Sequence, residues 1–64
     1  MSVYDAIVQE AKAIYEKSAS ECGGKEYIEL TDIIKDVAMR NCVILDDDSI
    51  YDICADIDPD YFNY

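Results

Sequence analysis

Apolar residues recur at three- and four-residue spacing through the first third of the chain. Val3, Ile7, Ala11, Ile14 and Tyr15 line one face, Tyr4 and Val8 widen it, and Asp5, Gln9, Glu10, Lys12, Glu16 and Lys17 occupy the others. That period is helical. Ser2 stands at the cap position with Asp5 three residues on, an S-x-x-D box at the positive end of the helix dipole. Gly23-Gly24 supplies the left-handed residue that commonly closes a helix. The spacing predicts a helix over 3–21.

Two shorter stripes follow. Ile33, Ile34, Val37 and Ala38 form one, with Thr31 as N-cap, Asp32 in the first turn and Asn41 as the stop, which predicts a helix over 32–41. Lys35 and Arg40 face outward from it. Ile50, Ile53, Cys54 and Ile57 form the other, at i, i+3, i+4 and i+7. Asp46-Asp47-Asp48-Ser49 offers several negative cap residues at its start, and Pro59 ends it, giving a helix over 48–57. Residues 25–30 read as an extended connector whose Tyr27, Ile28 and Leu30 dock on the core, because a lone strand would find no partner. The run Cys42-Val43-Ile44-Leu45 is expected to plug the core as it crosses between helices. No repeat or linker divides the chain. The expectation is one all-α domain over 1–64, a small three-helix bundle with Ile7, Ile14, Ile34, Val37, Ile50, Ile53 and Ile57 buried together.

Charge then changes the picture. Fifteen Asp and Glu stand against five Lys and Arg with no His, a formal net charge of −10. Hydrophobic residues make up 52% of the chain, too many for a disordered acidic tail. The imbalance is uneven: residues 1–40 hold eight acids and all five bases, whereas residues 41–64 hold seven acids and no base. Solubility accounts for the first part. It does not require every Lys and Arg to be missing from the second, and a field of one sign favours basic partners.

Candidate chemistry is sparse. General acid–base and nucleophilic catalysis need tuned groups in a water-excluded cleft, and 64 residues without His leave little room for one, so the protein is expected not to be an enzyme. Asp56-Ile57-Asp58-Pro59-Asp60 opens like a calcium loop. Tyr61 then stands where that loop needs Gly, and no Glu follows at its twelfth position, so no metal or other cofactor is expected. Cys22, Cys42 and Cys54 have no CxxC spacing; Cys42 and Cys54, in apolar registers, read as buried structural thiols. Free thiols, a start without a signal-peptide pattern and no apolar run of about 20 residues suggest a cytoplasmic protein that does not enter membranes. Direct nucleic-acid binding fails on electrostatics, since phosphates need a basic patch.

One arrangement stands out. At about 100° per residue, Asp48, Asp52 and Asp56 fall within about 80° of arc on the last helix, each rising about 6 Å along the axis, opposite the isoleucine face. Like charges at i, i+4 repel, and surface helices ordinarily relieve this with Lys. None is present. A regular row of carboxylates stands in for a phosphate backbone and fits a basic groove built for DNA or RNA; the plain alternative is a solvated face that keeps the protein soluble. Interspersed tyrosines suit a binding surface. The candidate partner-binding residues are Asp46, Asp47, Asp48, Asp52, Asp56, Asp58 and Asp60, with Tyr51, Tyr61 and Tyr64 among them. One or two of the aromatics Tyr51, Tyr61, Phe62 and Tyr64 are expected to fold back onto the core.

In size, in its −10 charge and in Asp46–Asp60 with its tyrosines, the chain resembles the small acidic inhibitors encoded by bacteriophages, including anti-CRISPR proteins and other DNA mimics. The likeness covers the whole chain in character and carries no motif. It implies an inhibitor that occupies the basic groove of a CRISPR effector complex or another nucleic-acid-binding protein in the host cytosol; the residues themselves leave monomer and homodimer both open. A second reading from the residues themselves is a small cytosolic adaptor that acts through apolar helix faces, as a homodimer or with another chain.

Overall fold

The computed structural model describes residues 2–63, Glu26 by its backbone only. Three helices, α1 (Val3–Cys22), α2 (Leu30–Arg40) and α3 (Asp47–Ile57), form a small bundle, and short 3-10 turns at Lys25–Tyr27 and Tyr61–Asn63 complete it. No strand occurs among the described residues. The 20 residues of α1 rise about 30 Å, which is the longest dimension of the molecule, 30 × 21 × 18 Å.

Local chemistry sets the ends of α1. The Ser2 hydroxyl accepts the Asp5 N–H at 3.2 Å, satisfying one orphan donor of the first turn. Gly23 closes the helix at φ +84°, donating its N–H to the Ala19 carbonyl at 3.0 Å. Ile7, Ala11 and Tyr15, one above the other on a single face, are its buried residues.

The connector departs from expectation. Residues 25–27 wind into a 3-10 turn rather than extending, and α2 begins at Leu30 instead of 32. Thr31 therefore lies inside the first turn and Glu29 holds the cap position without a side-chain bond. The reason is tertiary. Leu30 is fully buried, and its N–H donates to the Tyr61 hydroxyl at 3.1 Å, so an aromatic from the far end of the chain replaces the missing cap. Ile28 packs half-buried against the core, while Tyr27 is exposed.

At its other end α2 finishes in a paired-bond cap. Cys42 N–H donates to the Met39 carbonyl at 3.0 Å and Val43 N–H to the Ala38 carbonyl at 2.8 Å, with Cys42 in the left-handed region at φ +58°. This position is usually glycine. Cys42 is accordingly exposed, not buried as its register suggested. The run that follows plugs the core with alternate residues only: Val43 and Leu45 turn in half-buried, and Ile44 points away.

α3 starts on Asp46, whose carboxylate accepts the Ser49 N–H at 2.8 Å, and ends at Asp58 just before Pro59. Its Ile50, Ile53 and Cys54 meet Ile7, Ala11 and Tyr15 from α1 and Leu30, Ile34, Val37 and Ala38 from α2 in one core cluster. Ile14 and Ile57, expected inside, border this cluster half-buried.

Candidate acidic binding surface

Burial of Ile50, Ile53 and Cys54 fixes which way α3 faces, and helical geometry then forces the remaining positions outward. Asp48, Asp52 and Asp56 are all exposed on that outer side. Each i, i+4 pair among them is repulsive by roughly a few tenths of a kcal/mol. Nothing basic follows them in sequence, and Arg40, the last base in the chain, is paired with Asp36 one turn back on α2.

Asp46 and Asp47 extend the negative surface at the start of α3. Both are exposed. Asp46 also caps the helix, and hydrogen bonds from Ser49, the hydroxyl first and then the N–H, hold its carboxyl below the ordinary 3.8. At the other end, Asp60 is exposed and donates its N–H to Asp58 Oδ1 at 3.2 Å.

Asp58 does not join the surface. It is 7% exposed, and its Oδ2 accepts the hydroxyl proton of Tyr15 at 2.8 Å. Packing of α3 against α1 sets the C-terminal end of α3 beside Tyr15, so this carboxylate meets the middle of α1 instead of solvent. Tyr61 is half-buried for a related reason. Its hydroxyl serves the Leu30 N–H, and its ring sits edge-on to Tyr15 with centroids 6.4 Å apart. Asp58, expected among the exposed partner-binding acids, is thus an interior residue, and Tyr61 is one of the aromatics that fold back onto the core. Tyr64 lies outside the described residues.

The aromatic rings form a chain from solvent to core. Tyr51 on α3, which is exposed, meets Phe62 edge-on at 5.5 Å, Phe62 meets Tyr61 at 5.2 Å, and Tyr61 meets Tyr15. Edge-to-face pairs of this kind contribute about 0.5–1.5 kcal/mol each beyond burial. They tie the exposed ring of Tyr51 to the bundle interior.

A residue from another helix also borders the acids. Tyr4, on the first turn of α1 and 42% exposed, has its phenol pKa raised above 10.0 by desolvation and by the charges of Asp52 and Asp56. Its position in the α1 stripe marked it only as apolar. That it borders α3 follows from how the two helices cross.

The remaining reactive groups are inert or isolated. The Cys54 thiol is buried, and desolvation pushes its pKa up to about 11, so it is protonated at neutral pH. Cys22 and Cys42 are exposed. Among the described residues no group of three or more Cys, Asp and Glu side chains converges to hold a metal ion, and no helix is long and apolar enough to cross a membrane. Comparison of the chain with family models, curated proteins and solved structures finds no match.

Proposed function

We propose that this chain is a binding protein that inhibits a nucleic-acid-binding host complex by occupying its basic groove, in the manner of anti-CRISPR and other DNA-mimic proteins. The observation that carries this reading is the exposed row of Asp48, Asp52 and Asp56 on a helix with no basic neighbour in sequence. Asp46, Asp47 and Asp60 lengthen the row, and Tyr51, Phe62 and Tyr4 supply ring surface beside it. A phosphate-binding groove built from Lys and Arg recognises regularly spaced negative charge, and its affinity for such a surface falls with salt. The inhibition is by occupation, with no bond made or broken.

The test uses purified CRISPR effector complexes and duplex target DNA. The wild-type chain is expected to displace DNA from its target complex at low salt and to lose this effect as ionic strength rises. The Asp52→Lys, Asp56→Lys variant is expected to lose inhibition while remaining folded. Exchange of Lys12 and Glu16 on α1, which leaves net charge unchanged, serves as control. Undiminished inhibition by the Asp-to-Lys variant, with the same salt dependence, refutes mimicry through α3.

A further inference from the structure

An apolar depression of about 390 Å³ opens between α2 and α3, with Asp47 at its edge and none of Asp48, Asp52 and Asp56 in its lining. Ala38 and Ile50, both buried, and half-buried Val43 and Leu45 form its deeper lining. At its edge Met39 and Ile44 are 75% and 99% exposed. The left-handed Cys42 reverses the chain and alternation does the rest: Val43 and Leu45 turn to the core, which leaves Ile44 in water. Ile44 therefore adds nothing to the monomer's core, yet it stands beside a hollow of matching polarity.

The charges at the edge discriminate between occupants. Lys35 on α2 and Asp47 on α3 both border the depression. An occupant that satisfies both carries an acid and a base, and a second copy brings one of each in Asp47 and Lys35. A second copy, related by a two-fold axis, sets each Lys35 against the other's Asp47 and offers each Ile44 to the other's hollow. Asp48, Asp52 and Asp56 do not line the depression. We infer that the chain forms a symmetric dimer through the α2–α3 edge, with Ile44 of each copy seated in the apolar depression of the other. A weak but specific interface needs about 500 Å² per copy, roughly an eighth of the 4290 Å² surface. This goes beyond the inhibitory role, since Asp48, Asp52 and Asp56 of both copies remain free while Asp47 joins the interface.

Sedimentation equilibrium in reducing buffer tests it, the reductant being needed because Cys22 and Cys42 are exposed. The mass is expected to rise from 7.3 kDa toward twice that with concentration. Association is expected to strengthen with added salt, because screening relieves repulsion between two chains of net charge −10. DNA-groove mimicry has the opposite salt dependence, so each reading fails separately. Ile44→Asp should weaken association roughly a hundredfold, as it removes an interface anchor twice, with the melting curve of the monomer unchanged. Lys35→Glu should weaken it, and adding Asp47→Lys should restore it. The Asp52→Lys, Asp56→Lys variant should still dimerise. A 7.3 kDa species at every concentration and salt overturns the inference, as does an Ile44→Asp variant that dimerises as tightly as the parent.

Discussion

The hydroxyl of Tyr15 is the most informative single atom to remove. The ring is 1% exposed, and its O–H donates at 2.8 Å to a carboxylate of Asp58 that is itself buried. In Tyr15→Phe the ring's apolar burial and its edge contact with Tyr61 survive, so what is removed is the hydroxyl and its bond to Asp58. Bonds to charged groups contribute about 1.5–3 kcal/mol, and the carboxylate left behind loses a donor without gaining water. A loss of about 2 kcal/mol corresponds to a fall in Tm of about 8–16 °C for a domain of this size. Asp58→Ala is expected to cost more, because it also removes the acceptor of the Asp60 N–H and frees the turn that leads to Tyr61. The assay is thermal and urea denaturation followed by circular dichroism, carried through the double-mutant cycle of Tyr15→Phe with Asp58→Ala. A coupling of at least 1 kcal/mol is expected from a pair in direct contact. Additive single effects, or a Tyr15→Phe protein that melts with the parent, would refute the claim that this bond ties the end of α3 to α1.

Four further outcomes follow from the same structure. Ile53 is fully enclosed, so Ile53→Ala should cost about 2–5 kcal/mol and show in the urea midpoint, enough to unfold much of so small a domain; an unchanged midpoint means that α3 does not pack as described. Cys42→Gly should stabilise by up to about 1 kcal/mol in the same assay, because Gly adopts φ +58° without the Cβ clash, although its freer unfolded chain takes back part of the gain. Cys22 and Cys42 should react with a thiol reagent in the native protein and Cys54 only on unfolding; since the folded pKa of Cys54 is raised, its contribution to stability is complete below the unfolded value of 9.0 and is lost as pH rises toward about 11, a slope that Cys54→Ala should reduce. Replacing Asp52 and Asp56 by Lys should leave Tm unchanged or higher, by relief of like-charge repulsion, and should lower the Tyr4 phenol pKa in an ultraviolet titration; a Tyr4 titration that does not move places that ring away from the acidic face.

Periodicity carried most of the helical architecture. The apolar positions of α1 and α3, the Ser2 cap, the Gly23 stop and Pro59 each act within a few residues of themselves, so a one-dimensional pattern expresses them fully. The outward direction of Asp48, Asp52 and Asp56 was legible for the same reason, since on a helix the buried face determines its opposite. Contacts between distant parts of the chain decided the rest. Leu30 starts α2 because Tyr61, 31 positions later, accepts its N–H. Asp58 looks like one more surface acid in sequence, and only the packing of α3 against α1 brings it to Tyr15, 43 positions earlier. Tyr4 borders the carboxylates because α1 and α3 cross where they do. The exposure of Ile44 hangs on one backbone angle at Cys42, which a non-glycine residue does not announce. Local pattern fixes which face of a helix is wet; which neighbour that face or its ends will meet depends on packing that sequence spacing does not encode.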